Sequence, residues 1–288
     1  MKVSEMLKSG KTTISFEVFP PKKDDGLASV LASAKQIASL APDFMSVTYG
    51  AAGTTRENTV RVASEISQTF GVPVVPHMTC MGADREEASA LLDRITAAGI
   101  GNVMALRGDV PKDGDIRKDF AHASDLISFI REKCPDISIG GACYPEGHVE
   151  CAHKEEDISF LKKKAECGCD YLVTQMFFDN NIFYNFLYRC LAAGVDIPIV
   201  PGIMPITSAR QLARSAALSG TNVPEKLRAV TDRFGDSPEA MQQAGVVYAS
   251  EQIIDLLANG VRNIHIYSMN KPEVAAAILH NVRSCLDA

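Results

Sequence analysis

The 288-residue chain has no tryptophan and no apolar run near the roughly 20 residues that a membrane-spanning helix needs. Residues 1–11 are polar and lack the apolar core of a signal peptide, so we expect a cytoplasmic protein. The net charge of −6 also lacks the cationic excess on which general nucleic-acid binding depends. These absences argue against a membrane protein and against a nucleic-acid-binding protein.

Motifs for metals and for dinucleotides are missing as well. The eight cysteines form no C-x2-C pair, Cys167 and Cys169 are too close for a zinc finger, and no HExxH motif occurs. We therefore predict no metal site, and we expect most cysteines to be small buried residues rather than disulfide partners. The absence of G-x-G-x-x-G argues against a Rossmann-type dinucleotide-binding domain.

What the chain does contain is a series of short runs rich in β-branched and aromatic residues, several of them apolar nearly throughout. Such runs are typical of strands that are covered on both faces. We predict eight strands, at Thr12–Phe19, Phe44–Tyr49, Val72–Met78, Asn102–Leu106, Ile137–Tyr144, Tyr171–Phe177, Ile197–Ile203 and Arg262–Tyr267. Helical patterns lie between them, and one opens on a capping box formed by Asp84 and Glu87.

Eight alternating strand–helix units predict a (β/α)8 TIM barrel that occupies residues 1–288 as a single domain. An open doubly wound sheet is the competitor, but it usually has fewer strands. Between strands seven and eight, the patterns Pro224–Phe234 and Pro238–Leu257 indicate an extra helix rather than a second domain. Catalysis in such barrels takes place at the carboxyl ends of the strands.

Glu17 is the first candidate at those strand ends. Its apolar neighbours Phe16 and Val18 predict a buried carboxyl with a raised pKa, which suits a general acid. The alternative is a solvated glutamate, or one paired with Lys22 or Lys23.

The fourth strand ends in Arg107, Gly108 and Asp109, which place a cation and an anion on either side of a glycine that permits close backbone approach. The alternative is an internal ion pair that closes the loop. His77, inside the third strand, fits either a hydrogen-bonded core histidine or a ligand contact. Gln175 has an amide that needs both a donor and an acceptor if it is buried, and a heterocycle with an amide edge would supply both.

Downstream of the fifth strand, Tyr144 and His148 lead into a helix that carries Asp157, Lys163 and Lys164. Asp157 and Lys164 are seven residues apart and share one helix face. An aspartate for sugar hydroxyls and lysines for phosphates would suit a nucleotide. An ordinary solvated face is the alternative.

Taken together, the segments FEVFPPK, SVTYGA, PHMTC, ALRGD, YPEGH, TQMFFD and PGIMP occur in the order found in one enzyme family. The chain resembles methylenetetrahydrofolate reductase in its short bacterial form, from about Ile14 to Ile278. The resemblance implies that FAD binds at the carboxyl end of the barrel. It implies flavin contacts for Thr48, Tyr49, Ala51, His77, Arg107, Gly108 and Asp109, and contacts to the rest of FAD for His122, Ala123, Tyr144, His148, Asp157, Lys163 and Lys164.

The implied reaction has two halves. NAD(P)H reduces the flavin at N5 and leaves, and 5,10-methylenetetrahydrofolate then takes its place. Glu17 would protonate N10 and open the ring to an N5 iminium, and hydride transfer would give 5-methyltetrahydrofolate for methionine synthesis in one-carbon metabolism. The resemblance also implies a homo-oligomer, and it leaves open a partner subunit as the electron donor.

On the folate side, the resemblance gives substrate contacts to Thr48, Asp109, Gln175, Gln211 and Lys271. Asp109 would bind the pterin and favour the iminium cation, and Lys271 would meet the glutamate tail.

The chain departs from the bacterial pattern at four positions. It has lysine for arginine at Lys271 and serine for an aromatic residue at Ser215, and the other two departures are His122 and Phe160.

Two other classes remain as hypotheses. A folate-binding barrel could transfer a one-carbon group without redox chemistry, and it would bind folate without FAD. An aldolase-type barrel needs a Schiff-base lysine inside a strand, and none of the eight predicted strands contains a lysine.

Overall fold

The computed structural model describes residues 1–21, 26–49, 53–108, 119–151 and 153–287, and the backbone alone for residues 53–56. The strands within these ranges are β1 (Thr13–Val18), β2 (Phe44–Val47), β3 (Val74–Thr79), β4 (Asn102–Leu106), β5 (Ser138–Cys143), β6 (Tyr171–Thr174), β7 (Ile199–Val200), β8 (Gly202–Ile203) and β9 (Asn263–Tyr267). The helices are α1 (Val3–Leu7), α2 (Leu27–Ala38), α3 (Gly53–Phe70), α4 (Arg85–Ala97), α5 (Ala123–Lys133), α6 (Lys154–Glu166), α7 (Asn180–Ala192), α8 (Ala209–Ser219), α9 (Glu225–Phe234), α10 (Pro238–Ala258) and α11 (Pro272–Leu286).

The strands pair in parallel in the order β7-β6-β5-β4-β3-β2-β1-β9-β8. The predicted seventh strand is divided into β7 and β8 at Pro201, which has no N–H to donate to a ladder. Because β7 pairs with β6 and β8 pairs with β9, the two halves of this one run join both edges of the sheet. The (β/α)8 barrel is confirmed, with one strand in two pieces.

The unit after the seventh strand is larger than predicted. The two predicted helices appear as α9 and α10, but α8 comes before them and begins where Ser208 accepts a hydrogen bond from the Gln211 N–H. The short helix α1 was not predicted either. The capping box at Asp84 and Glu87 is confirmed. No helix within the described ranges is long and apolar enough to cross a membrane.

The cysteines differ in part from the prediction. All eight are free thiols. Four of them, Cys80, Cys143, Cys169 and Cys190, are buried, and the other four are half-buried or exposed. The prediction that most would be buried was therefore too strong.

The amino end of the barrel is closed by α1. Val3 and Leu7 of this helix pack with Phe44, Met104 and Tyr171, which project into the barrel from three strands. The Val3 N–H donates to the Asn102 side chain at 2.8 Å and fixes the helix to β4. The amino end is therefore a packed apolar layer.

Candidate active site

The Glu17 carboxylate lies at the carboxyl end of β1 among polar side chains from three other strands. Its Oε2 is 3.4 Å from Ser46 Oγ, 3.6 Å from His77 Nε2 and 3.9 Å from His265 Nε2. The side chain keeps 19% of its surface exposed. The structure thus brings Glu17 and His77 together, as the family resemblance implies for one site.

The apolar environment that the sequence neighbours predicted for the Glu17 carboxyl was wrong. Phe16 and Val18 are fully buried in the large core cluster that includes residues of the surrounding helices. Successive strand residues point to opposite faces, so the apolar neighbours in sequence are not the neighbours of the carboxylate. The groups that touch it are polar.

Strand register places the polar groups side by side. Glu17 is the partner of Ser46 across the β1–β2 pairing, and Ser15 is the partner of His265 across the β1–β9 pairing. Ser15 Oγ lies 2.8 Å from His265 Nδ1 and orients this ring, of which 1% is exposed. The network therefore extends two residues into the barrel below Glu17.

His77 is buried, and its Nε2 has no hydrogen-bond partner among the described residues. Burial lowers the pKa of His77 despite the opposing effect of Glu17. The imidazole is thus neutral at neutral pH, with a buried polar atom that a bound molecule could satisfy.

The end of β2 is tied to the end of β1. Thr48 and Tyr49 are half-buried directly after β2, and the Thr48 N–H donates to the Val18 carbonyl at 3.0 Å. Thr48 therefore lies two residues beyond Ser46, the partner of Glu17 in the strand pairing, as expected for a shared site. Ala51 and Asp109, and also Lys22 and Lys23, lie outside the described residues.

Arg107 forms a bidentate ion pair with Glu150, with N–O distances of 2.5 and 2.9 Å. Sequence reasoning offered Asp109 as a partner and did not identify Glu150, which lies two residues after the YPEGH segment. The next residue, Gly108, has a φ of +84°, and a Cβ there would lie 2.9 Å from the Thr79 side chain. Only glycine fits this turn without a shift of its neighbours.

The residues after β5 form a second cluster. The rings of Tyr144 and His148 meet edge to face with centroids 4.6 Å apart, and the His148 N–H donates to Asp157 at 3.3 Å. Asp157 is buried, and burial raises the pKa of its carboxyl. Three of the predicted cofactor residues are therefore neighbours.

The two lysines of this helix differ. Lys163 is exposed in the last turn of α6. Lys164 instead donates its Nζ to the Ala142 carbonyl at 2.7 Å, and burial lowers its pKa. Lys163 is thus the cation open to solvent, and Lys164 joins α6 to β5.

His122 and Phe160 are both exposed, and their rings stack with centroids 6.4 Å apart and an interplanar angle of 18°. These are two of the positions at which the chain departs from the bacterial pattern. Ala123, which begins α5 directly after His122, is buried. The two departures therefore contact each other and form one aromatic surface.

On the folate side, Gln211 and Lys271 meet at Thr207. Gln211 Oε1 accepts from the Thr207 N–H at 2.9 Å, and its Nε2 donates to the Pro205 carbonyl at 3.1 Å. Lys271 Nζ donates to Thr207 Oγ1 at 2.8 Å. Ser215, one turn beyond Gln211, has its Oγ 3.6 Å from the sulfur of Met204.

Gln175 follows β6 directly and is half-buried. Its side-chain Oε1 accepts from the Met176 N–H at 2.9 Å. The backbone N–H of Gln175 donates to the Cys143 carbonyl at 2.7 Å. The side chain therefore has a fixed position at the strand end.

Sequence reasoning missed Ser46, His265, Glu150 and Thr207. A signal for His265 was present, because Asn263, His265 and Tyr267 alternate with two isoleucines and so share one face of the strand. Within the described ranges, no three residues among His, Cys, Asp and Glu are grouped as a metal site.

Comparison with known proteins identifies the family of this barrel. A profile of methylenetetrahydrofolate reductase matches residues 2–283. The chain belongs to the methylenetetrahydrofolate reductase family. Members of this family are oxidoreductases that act on methylenetetrahydrofolate.

Individual relatives agree with this assignment. A 5,10-methylenetetrahydrofolate reductase of Pectobacterium carotovorum is 35% identical over 95% of this chain and 91% of its own length. The corresponding protein of Escherichia coli is 33% identical with the same coverage. An Arabidopsis thaliana methylenetetrahydrofolate reductase (NADH) is 36% identical, and the chain spans 51% of that relative's length.

A solved structure shows the same fold. It is a Clostridium thermocellum protein described as binding two copies of 5-methyl-5,6,7,8-tetrahydrofolic acid. It superposes with a TM-score of 0.68 at 16% identity, and the match covers 100% of both chains.

Proposed function

We propose that the chain reduces 5,10-methylenetetrahydrofolate to 5-methyltetrahydrofolate with FAD as cofactor and NAD(P)H as electron donor. The observation that carries the proposal is the Glu17 carboxyl, which lies at the carboxyl end of the barrel in contact with three polar side chains. A carboxylic acid at this position supplies the proton that ring opening of the substrate requires.

The residues at this end of the barrel fit a flavin nucleotide. His77 Nε2 is a buried polar atom that needs a partner, and the stacked pair His122 and Phe160 offers an exposed aromatic surface to a flat base. Lys163 is a solvent-exposed cation for the diphosphate, and Asp157 is a carboxyl for a ribose hydroxyl. When bound, FAD would accept a hydride from NAD(P)H and deliver it to the methylene carbon.

Glu17 would act in the folate half of the reaction. Its proton passes to N10, the bond between N10 and the methylene carbon breaks, and a cationic iminium forms at N5. Glu17 is left as a carboxylate near that cation, which stabilises it electrostatically. The family resemblance assigns stabilisation of the same cation to Asp109, which follows Gly108 in the chain.

The folate tail would lie near Lys271. The ammonium group of Lys271 donates a hydrogen bond to Thr207 Oγ1, and this hydroxyl donates to Gln211 Oε1. These two hydrogen bonds position the cation. An ammonium group attracts a carboxylate as a point charge, without the two-point geometry of arginine. Gln175 would contact the pterin edge.

The test is flavin uptake followed by the two half-reactions. Purified protein incubated with FAD should become yellow, should bleach anaerobically under NADH or NADPH, and should regain its colour on addition of 5,10-methylenetetrahydrofolate. Folate binding by a protein that takes up no FAD would favour the one-carbon transferase hypothesis instead. FAD uptake without bleaching by either nucleotide would favour a partner protein as the donor.

A further inference from the structure

We propose that Asn270 is a positioning residue, whose side-chain amide fixes the turn after β9 to the chain after β1 and so sets the position of Lys271 for the folate tail. The inference rests on the proposed contact between Lys271 and the glutamyl group. It deepens that contact by naming the residue that determines its geometry.

The turn after β9 has an unusual backbone. Met269 and Asn270 have φ values of 54° and 55°, so two consecutive residues that carry a Cβ lie in the left-handed region. This region is unfavourable for such residues, although asparagine tolerates it better than most. Within the described ranges, Ala41 is the one other non-glycine residue with a positive φ. A conformation of this kind persists only where the surrounding contacts impose it.

The contacts that impose it come from the Asn270 side chain. Its Oδ1 accepts a hydrogen bond from the Phe19 N–H at 3.0 Å, and its Nδ2 donates to the Phe19 carbonyl at 2.9 Å. One planar amide therefore satisfies both backbone groups of a residue that is 251 positions away in the chain. Asparagine carries both a donor and an acceptor on this short side chain, whereas an ionised aspartate can only accept.

Ser268 attaches the same turn to β1. Its Oγ donates to the Glu17 carbonyl at 2.5 Å and accepts from the Asn270 N–H at 3.2 Å. Together with the two bonds to Phe19, three hydrogen bonds join the turn after β9 to the end of β1 and the residues that follow it.

Sheet formation does not account for these hydrogen bonds. β1 and β9 already pair at five positions, from Thr13 with Asn263 to Glu17 with Tyr267. The Asn270 contacts come after the last of these pairs, at the carboxyl end of the barrel. A strained turn in this place indicates a role in the site rather than in barrel closure.

Lys271 follows the turn directly, and its backbone is held on both sides. Its N–H donates to the Ser268 carbonyl at 3.0 Å, and its carbonyl accepts from the Ala275 N–H at 3.1 Å in α11. The ammonium group is a point charge at the end of a flexible stem. Its position therefore depends on where this backbone lies and on the hydrogen bond to Thr207. Without the amide, Lys271 would have to be ordered when the ligand binds, and that ordering costs affinity.

The test is the equilibrium binding of two ligands, so it requires no turnover. One ligand is 5-methyltetrahydrofolate, and the other is an analogue in which an uncharged alkyl amide replaces the glutamyl group. We expect the wild-type protein to bind the first on the order of 10- to 100-fold more tightly, as for a hydrogen bond between charged groups. Lys271→Met should abolish most of this preference.

Asn270→Gly removes the amide and keeps a residue that accepts the left-handed conformation. We expect it to lower the preference several-fold and to leave binding of the uncharged analogue at the wild-type level. Added to Lys271→Met, it should have no further effect on the preference, because Asn270 acts through Lys271. Ala41→Gly is the matched control, since it places glycine at another exposed left-handed position, before β2. It should change neither dissociation constant.

The outcomes separate this inference from the proposed function. An unchanged preference in Asn270→Gly overturns the inference, and so does equal weakening of both ligands, which a merely structural role would produce. If the wild type has no preference, or if Lys271→Met retains it, the proposed tail contact is wrong and the inference fails with it. Absence of FAD uptake or of flavin reduction refutes the proposed redox function, and the binding preference still decides this inference.

Discussion

The two ends of the barrel interior are built from the same strands and filled with opposite side chains. At the amino end, Phe44, Met104 and Tyr171 pack beneath α1 in an apolar layer. At the carboxyl end, Ser46 of β2 and His77 of β3 meet Glu17 of β1. The change occurs within single strands, two residues apart in β2. One end thus serves stability, and we propose that the other serves chemistry.

The largest change in the free energy of unfolding is expected from a substitution at the apolar end. Leu7→Ala removes a buried side chain from α1 and should lower the free energy of unfolding by about 2–5 kcal/mol, measured by urea denaturation. Leu191→Ala, at an exposed position of α7, is the control and should change it by less than about 0.5 kcal/mol. An equal effect of the two would show that α1 does not seal the barrel.

At the polar end, the buried His77 should make the free energy of unfolding depend on pH. Burial lowers the pKa of His77 below its value of 6.5 in the unfolded chain. The unfolded state therefore binds more protons, and stability should fall as the pH drops below about 6.5.

Urea unfolding at pH 7.5 and 5.5 measures this effect. His77→Gln should make the loss smaller, and His280→Gln, at an exposed position of α11, should leave it as in the wild-type protein. A pH dependence unaltered by His77→Gln would contradict a buried neutral imidazole.

The smallest effect is expected at Tyr171, whose hydroxyl is buried in the apolar half without a hydrogen-bond partner among the described residues. Tyr171→Phe removes that group and leaves the ring in place. It should be neutral or stabilising within about 1 kcal/mol, because an unsatisfied hydroxyl contributes no net hydrogen bond. Destabilisation beyond about 2 kcal/mol in urea would show that the hydroxyl has a structural partner.

The sequence was sufficient for the (β/α)8 fold and for the approximate positions of the strands. Periodicity located β4 at its observed bounds, Asn102–Leu106, and the ordered motifs identified the family. It was not sufficient for the division of the seventh strand at Pro201, because the pairing of each half depends on partners distant in the chain.

The surroundings of the Glu17 carboxyl could not be predicted for a similar reason. Its contacts Ser46, His77 and His265 come from three other strands, and only the register of the pairings brings them together. The ion pair between Arg107 and Glu150 likewise joins two loops separated by 43 residues. Local sequence patterns were therefore sufficient to locate the buried strands. The contacts of the site residues depend on side chains that are distant in the chain.

The central claim is that Glu17 serves the folate half-reaction and not the stability of the barrel. Rapid mixing of Glu17→Gln with NAD(P)H, and of its reduced form with 5,10-methylenetetrahydrofolate, tests it most directly. We predict folate reduction slower by about 10²–10⁴-fold, with flavin reduction and the free energy of unfolding close to wild type. Loss of both half-reactions together, or folate reduction at the wild-type rate, would contradict the account.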